Sequence, residues 1–213
     1  MKFGRNTVSA SQTLIESAHS GLRGAAKRAV LTQALQCFND KGIEASTIDD
    51  LRRRSGQSVG AIYHHFGNKE GVAAALFFLG FDDQSEAIAA ALARADGAPR
   101  QMIAALIGAW LDWTERMPEM ALYLILAREA VDKGAHAQQL TERLRARYGP
   151  LDDLLAQAMR RGEMRQVPDD LIPPLILGPA ESYSRGWLSG RRQMPPSQCA
   201  QVLAEADWRS LVA

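Results

Sequence analysis

The chain of 213 residues lacks the features that mark extracellular, membrane-spanning or metal-rich proteins. It has only two cysteines, Cys37 and Cys199, which are far apart and indicate neither a disulfide framework nor a cysteine-rich metal site. No apolar run approaches the roughly 18 residues that would suggest a membrane span. No apolar run follows Lys2 and Arg5, so a secretory signal is not indicated, and we expect a cytoplasmic protein.

Strand patterns and the motifs of common enzymes are also missing. No stretch shows sustained two-residue alternation of apolar and polar side chains, so strands are not expected. There is no His-Glu-x-x-His, no phosphate-cradling glycine loop and no Ser-His-Asp arrangement. His64 and His65 are neighbours whose side chains would point about 100° apart on a helix, so they do not converge on one ion. We therefore expect no metal, no cofactor and no catalysis, and an enzyme is kept only as an alternative.

The charge is unevenly distributed, although the net charge of the whole chain is only +1. Residues 1–70 contain ten Lys or Arg and six Asp or Glu, whereas the remainder contains fifteen and eighteen. A basic first third on a slightly acidic body is typical of a head that meets nucleic-acid phosphate. A difference of a few charges also arises by chance, so this split alone is weak evidence.

Helical periodicity from residue 25 onward predicts an all-α protein of about nine helices. Residues 1–23 are rich in Ser, Gly and Thr and predict a flexible arm. Ser46 and Asp49 form a Ser-x-x-Asp pattern that would cap the second helix, and Pro150 is expected to kink or split the seventh. The expected helices cover about residues 25–41, 46–55, 59–65, 69–95, 99–116, 118–131, 136–161, 169–190 and 197–211.

The second and third of these helices, joined by a tight turn and packed under the first, predict a helix-turn-helix. The turn is Gly56-Gln57-Ser58, whose glycine suits a left-handed backbone position. Gly60 and Ala61 leave the N-terminal end of the following helix almost bare, so its backbone can approach a duplex closely. Ile62 and Phe66, four residues apart, would anchor the same helix to the core.

The segment from Ser46 to Glu70 resembles the DNA-binding signature of the tetracycline-repressor (TetR) family. The quoted stretches are STIDDL and SGQSVGAIYHHFGNKE, with the Tyr-x-x-Phe-x-x-Lys core, and the likeness covers roughly residues 25–75. It implies a helix-turn-helix domain at 24–70, joined by a long fourth helix to a ligand-binding and dimerisation domain at 71–213. It also implies a transcription regulator, usually a repressor, that leaves a palindromic operator when a small-molecule effector binds.

The resemblance implies which residues contact operator DNA. The expected contacts are made by Ser46, Thr47, Gln57, Ser58, Val59, Gly60, Ala61, Tyr63, His64 and Lys69. Ala61 stands where the family often has Thr, which removes one hydroxyl donor. Arg52–Arg54 make the second helix unusually basic, and we leave open whether they bind phosphate or form a solvated face.

Two stripes at four-residue spacing lie in the segment that precedes Gly190. One stripe consists of small residues and the other of bulky residues. A second helix can therefore come close to the small stripe, while the aromatic side chains beside it bury apolar surface. In the resembled family the last two long helices form the dimer interface, which we therefore assign to about 171–190 and 197–211. The expected interface residues are Leu175, Gly178, Pro179, Ser182, Tyr183, Gly186 and Trp187. The alternative is that both stripes pack within one subunit.

A pocket for an effector is expected among the helices at 99–131 and 136–161. Its candidate walls are Met102, Leu106, Trp110, Trp113, Tyr123, Met159 and Tyr183, although ordinary core packing explains any one of them equally well. Two further functions remain open for the whole chain. The basic head could bind another protein, or the chain could regulate DNA through partner proteins without any ligand.

Overall fold

The computed structural model describes residues 9–21 and 24–212, and every regular element among them is helical. The helices are α1 Ala10–Ala18, α2 Ala25–Lys41, α3 Ile48–Ser55, α4 Val59–Phe66, α5 Lys69–Leu92, α6 Pro99–Arg116, α7 Pro118–Asp132, α8 Ala137–Arg160, α9 Ile172–Leu188 and α10 Pro196–Leu211. A short 3₁₀ turn at Asp169–Leu171 precedes α9. The all-α prediction is confirmed. None of the helices in the described ranges has the length and apolar composition needed to traverse a bilayer.

The additional helix, α1, forms within the segment that was expected to be a flexible arm. Ser9 caps it: its Oγ accepts the N–H of Gln12 at 3.3 Å, and the Gln12 side-chain oxygen accepts the N–H of Ser9 at 3.1 Å. Ser11 and Ile15 are buried, and α1 packs on α2. The expectation of an arm is therefore wrong over Ala10–Ala18, where a reciprocal cap and one buried isoleucine fix the helix. The parts of the expected arm at 1–8 and 22–23 lie outside the described residues.

The described chain divides into two compact units. Unit 1 contains the residues up to Asp83 together with Met117–Ala137, and unit 2 contains Gln84–Arg116 together with the chain from Gln138 onward. Unit 1 therefore holds α1 to α4, the first part of α5, and α7. Because α5 runs without interruption from Lys69 to Leu92, one helix belongs to both units.

The core of unit 1 joins α2, α5 and α7. The ring of Tyr123 stacks on Phe38 with centroids 5.9 Å apart, and its hydroxyl donates to the main-chain oxygen of Ala73 at 2.7 Å. Gly80 on α5 has no room for a side chain, because a Cβ there would lie 2.5 Å from Cγ of Met120. Gly80 thus allows α5 and α7 to approach closely, and α7 also packs on α2.

The core of unit 2 is an apolar cluster formed by the end of α5 and by α6, α8, α9 and α10. Its buried members are Ile88, Ile103, Leu106, Ile107, Leu111, Leu151, Leu155, Ala158, Met159, Met164, Ile172, Ile176, Leu177, Ala180, Ala204 and Leu211. Helix α10 packs on both α6 and α9. Helix α8 continues through Pro150 from Ala137 to Arg160, so the proline does not split it.

Candidate DNA-binding surface

Helix α3 has Thr47 as its N-cap, one residue after the Ser46 cap that the sequence pattern predicted. The Thr47 hydroxyl accepts the N–H of Asp50 at 3.1 Å, and the Asp50 carboxylate accepts the N–H and the O–H of Thr47 at 2.9 and 2.7 Å. Lys41 at the end of α2 lies 2.6 Å from the same carboxylate. The hydrogen bonds from Lys41 and then from Thr47 hold the pKa of Asp50 well below its usual range. Asp50 therefore stays charged and ties the start of α3 to the end of α2.

Ser46, which was expected to contact DNA, is buried beneath this cap with 1% of its surface exposed. Its Oγ donates to the main-chain oxygen of Gly42 at 2.6 Å and lies 3.4 Å from Sγ of Cys37. The expected contact is therefore wrong for Ser46, whose hydroxyl stabilises the connection between α2 and α3. Thr47 is exposed, but its N–H and O–H are both used in the cap, so its contact with DNA stays a prediction.

The turn between α3 and α4 has the geometry that its glycine predicts. Gly56 has a φ of 68° in the left-handed region and closes α3 by donating its N–H to the carbonyl of Arg52. Ser58 then caps α4, because its Oγ accepts the N–H of Ala61 at 3.1 Å. The O–H of Ser58 and the first N–H groups of α4 are not needed within the helix, so they can donate to an acceptor outside it.

Helix α4 is anchored on one face and open on the other. Ile62 is completely buried, whereas Val59 and Tyr63 are 42% and 50% exposed and His64 is exposed beside them. Gly60 is exposed too, and a Cβ placed on it would find only Oγ of Ser58, 4.0 Å away. A helix that leaves large apolar side chains in solvent beside a bare backbone has a surface suited to binding another molecule.

Lys69 begins α5 next to the two short helices. Its Nζ donates to the main-chain oxygen of Glu44 at 3.2 Å, which places the ammonium beside the loop that leads into α3. An ammonium has three N–H donors, so this single bond leaves two for a phosphate.

The three arginines of α3 all have acidic partners. Nitrogen–oxygen distances of 2.8 to 3.2 Å join Arg52–Arg54 to Asp49, Asp50 and Asp40. The arginines are exposed, and exposed ion pairs contribute little to stability, so exchange of these carboxylates for DNA phosphate costs little. This geometry fits both a phosphate-binding role and a solvated face.

Comparison with known proteins identifies the family of this helix-turn-helix. Residues 30–76 match the family model described as bacterial regulatory proteins, tetR family. The HTH-type transcriptional repressor Rv1474c of Mycobacterium tuberculosis is 30% identical over 151 residues, which cover 70% of this chain and 74% of that protein. The chain belongs to the tetR family. This tetR-family chain is therefore a DNA-binding transcription regulator, as the resemblance of its sequence predicted, and α3 and α4 are its helix-turn-helix.

Solved structures share the fold of this tetR-family chain at low sequence identity. A tetR-family regulator from Shewanella sp. PV-4 has a TM-score of 0.71 at 20% identity, over 88% of this chain and 98% of that one. The regulator FadR of Bacillus subtilis, solved in complex with stearoyl-CoA, has a TM-score of 0.65 at 16% identity, over 85% of this chain and 97% of that one. Both likenesses concern the fold alone.

The residues expected to line an effector pocket are divided between the two units. Tyr123 is a core residue of unit 1, fully buried and bonded to the main chain of α5, and its place in a pocket wall stays a prediction. In unit 2, Leu106 and Met159 belong to the apolar cluster, and Met102 and Trp110 are partly buried against it. Trp113 is also fully buried in unit 2. The structure thus brings together Leu106, Met159, Met102 and Trp110 at the cluster, and a pocket there stays a prediction.

Of the residues expected at the dimer interface, Gly186 is used by its own chain. A Cβ at Gly186 would lie 2.7 Å from Nε of Arg192, and the Gly186 carbonyl accepts the N–H groups of Arg191 and Arg192. Its expected contact with a second helix is therefore wrong, because an arginine of the same chain occupies that space. A Cβ at Gly178 would meet nothing within 4 Å, so this glycine keeps an open side.

The remaining residues of the expected interface differ in exposure. Ser182 is exposed, whereas Leu175, Pro179 and Trp187 are partly buried. Tyr183, which was expected at both the pocket and the interface, donates its hydroxyl to the main-chain oxygen of Met194 at 3.0 Å. This bond fixes the aromatic ring against the loop that follows α9.

Sequence reasoning missed one functional candidate in unit 2, the carboxyl of Asp207. Its side chain is 3% exposed, and one of its oxygens is buried without a hydrogen-bond partner. A signal was present, because Asp207 lies three residues after Ala204 and four before Leu211 on what becomes the buried face of α10.

Proposed function

We propose that this tetR-family chain is a repressor that binds a roughly palindromic operator as a homodimer and releases it when a small-molecule effector enters unit 2. The observation that carries the DNA-binding part is the open face of α4. Ile62 fixes the helix to the core, while Val59, Gly60 and Tyr63 are presented to solvent. A duplex groove is a partner that such a narrow, partly bare helix can enter.

Two kinds of contact follow from the positions of the polar groups. Lys69 and Tyr63, with the N-terminal end of α4, would bind phosphate and set the orientation of the helix-turn-helix on DNA. Gln57, Ser58 and His64 surround the start and the exposed side of α4, where side chains can reach base edges. The phosphate contacts supply affinity that depends on salt, and the base contacts supply sequence preference.

A homodimer is supported by the sides of α9 and α10 that unit 2 leaves uncovered. On α9, Ser182 is exposed and Gly178 has an open side. On α10, Val202 is 71% exposed and Ala206 is exposed one turn later. A second copy of the same pair of helices would cover these sides. The two heads would then meet half-sites about 34–36 Å apart, which is one turn of DNA.

Regulation by an effector is supported by the continuity of α5 and by the apolar interior of unit 2. One helix carries Lys69 at its start and Ile88 of the unit 2 cluster near its end. Effector binding in unit 2 can therefore be transmitted along α5 to the head. FadR of Bacillus subtilis, which shares the fold, was solved in complex with stearoyl-CoA, so that protein of the same fold binds an organic ligand. By linkage, the effector must bind the DNA-bound dimer more weakly by the same factor as it weakens DNA binding.

The DNA-binding part is tested by selecting preferred duplexes from a random library and measuring their affinity by fluorescence anisotropy. We expect a palindromic preferred site, and we expect Tyr63→Ala to weaken its binding by about tenfold or more. Leu126→Ala is the matched control, because Leu126 is 48% exposed on α7 of the same unit, and this variant should bind DNA as the wild type does. Equal losses in both variants, or no loss in either, would remove α4 from the interface.

A further inference from the structure

A carboxyl group lies in the apolar interior of unit 2 without a partner for one of its oxygens. Asp207 on α10 is 3% exposed, and its Oδ2 accepts no hydrogen bond from any described residue. Ala204 and Leu211, which flank it on the same helical face, are members of the unit 2 cluster. The carboxyl therefore faces apolar side chains, where an ionised group is costly unless a cation or several donors accompany it.

The arginines that form ion pairs on α10 pair with Glu205 and not with Asp207. Arg100 of α6 lies 2.6 Å from Glu205, and Arg209 lies 3.0 Å from the same residue. Both arginines are well exposed, so this ion pair network lies at the surface while Asp207 points inward. Among the described residues, Glu205 of α10 thus has two cationic partners, whereas Asp207 has no ion pair.

A second buried polar group without a partner lies on α9. The hydroxyl of Ser184 on α9 is buried, with the residue 1% exposed, and makes no hydrogen bond to a described residue. Ser184 lies one turn after Ala180, which belongs to the cluster, so it shares the buried face of α9. Unpartnered polar groups in a native interior call for an explanation, and a binding role for unit 2 is one that suits a buried carboxyl.

Aromatic rings border the same cluster. Trp110 on α6, Trp208 on α10 and Tyr148 on α8 are partly buried against it. Aromatic faces attract cations, most strongly where water is excluded. The Tyr148 ring already faces the guanidinium of Arg147, 5.6 Å from its centroid. An acid without a counterion among the described residues, together with the rings of Trp110 and Trp208 on the same apolar core, forms a chemical environment suited to a positively charged organic molecule.

We propose that unit 2 binds an organic cation, an amine or quaternary ammonium attached to an apolar body, with Asp207 as its counterion. The apolar body packs among the side chains of the cluster, and Ser184 offers a further hydrogen-bonding position along the core. An anionic ligand of the same size is repelled by the Asp207 carboxylate. The inference rests on the proposed function in one respect, since it specifies the chemical class of the effector.

The test compares three molecules with the same chain length, octylammonium, octanol and octanoate, by calorimetric titration of the full-length protein at pH 7.5. A hydrogen bond to a buried charge is worth roughly a factor of ten to a hundred in affinity. We therefore expect octylammonium to bind at least about tenfold more tightly than octanol, and octanoate to bind more weakly than either. Octylammonium affinity equal to or below that of octanol would overturn the proposal.

Asp207→Asn should reduce the affinity for octylammonium to that for octanol, because the amide keeps the size of the side chain and removes its charge. Asp112→Asn is the control, since Asp112 is an exposed carboxylate on α6, and its octylammonium affinity should be unchanged. Unchanged octylammonium affinity in Asp207→Asn would refute the assignment. Circular dichroism checks the fold of the variant, and if it does not fold, the comparison of the three molecules on the wild type decides.

Operator affinity measured with and without octylammonium separates this inference from the proposed function. If octylammonium binds through Asp207 and operator affinity does not change, the inference stands and effector-controlled release fails. If the wild type binds no operator at all, the DNA role fails, whereas the calorimetric comparison still decides the ligand class.

Discussion

Removal of the Asp207 charge should change how the stability of unit 2 depends on pH. Burial raises the pKa of this carboxyl from 3.8 to about 6. Because the pKa is higher in the folded state, protonation favours folding: the stabilisation is full below about pH 4 and is lost as the pH rises through about 6. Between pH 7.5 and 4.5 these two pKa values give the wild type a gain on the order of 2 kcal/mol in the free energy of unfolding, which Asp207→Asn lacks.

Urea unfolding followed by tryptophan fluorescence measures this effect on the stability of unit 2. All four tryptophans, Trp110, Trp113, Trp187 and Trp208, lie in unit 2, so their emission reports on that unit. The quantity compared is the difference in unfolding free energy between the wild type and Asp207→Asn, at fixed protein concentration, because titration of the other groups cancels in it. Asp112→Asn should show no such trend. A difference that stays constant from pH 4.5 to 7.5 would refute the burial of an ionisable Asp207.

Two further predictions concern the head and the dimer. Ile62→Ala should lower the free energy of unfolding by about 2–4 kcal/mol, because Ile62 is completely buried. Val59→Ala on the same helix should change it by less than about 0.5 kcal/mol. Thermal unfolding of both variants measures this, and similar losses in the two would contradict the anchored and open faces of α4. Gly178→Leu should shift the protein from dimer to monomer in analytical ultracentrifugation, because a branched side chain would stand on the side of α9 that a second copy covers. Gly186→Ala, whose Cβ meets Arg192 of its own chain, should remain dimeric, and a dimer unchanged in Gly178→Leu would remove this part of α9 from the interface.

The parts of the head that could be predicted from the sequence depend on local chemistry. The left-handed turn at Gly56 and the cap at Ser58 follow from residue type and spacing, and both are present. The start of α3 could not be chosen in this way, because Ser46 and Thr47 are adjacent hydroxyls and either can cap a helix. The choice depends on Lys41, nine residues before Asp50, whose ammonium holds the Asp50 carboxylate at Thr47.

The role of a residue in unit 1 or unit 2 depends on distant parts of the chain, which helical periodicity does not reveal. Tyr123 is an aromatic residue of the kind that lines pockets, but its contacts with Phe38 and with the main chain of α5 make it part of the core of unit 1. Gly186 continues a stripe of small residues, but the chain turns back after α9 and places Arg192 against it. Helix α1 was missed for a related reason, because its one buried large residue, Ile15, shows no periodicity of its own.

The salt dependence of operator binding shows whether α3 and α4 with Lys69 recognise DNA through separate phosphate and base contacts. Affinity is measured over a range of salt concentrations for the wild type, Lys69→Ala and Gln57→Ala, on the preferred duplex and on duplexes changed at single base pairs. We expect Lys69→Ala to weaken binding to all sequences alike and to lower the salt slope by about one. We expect Gln57→Ala to keep the slope and to lose about 1–3 kcal/mol of discrimination at one base pair. A Lys69→Ala variant with altered sequence preference and an unchanged salt slope would contradict this separation of contacts.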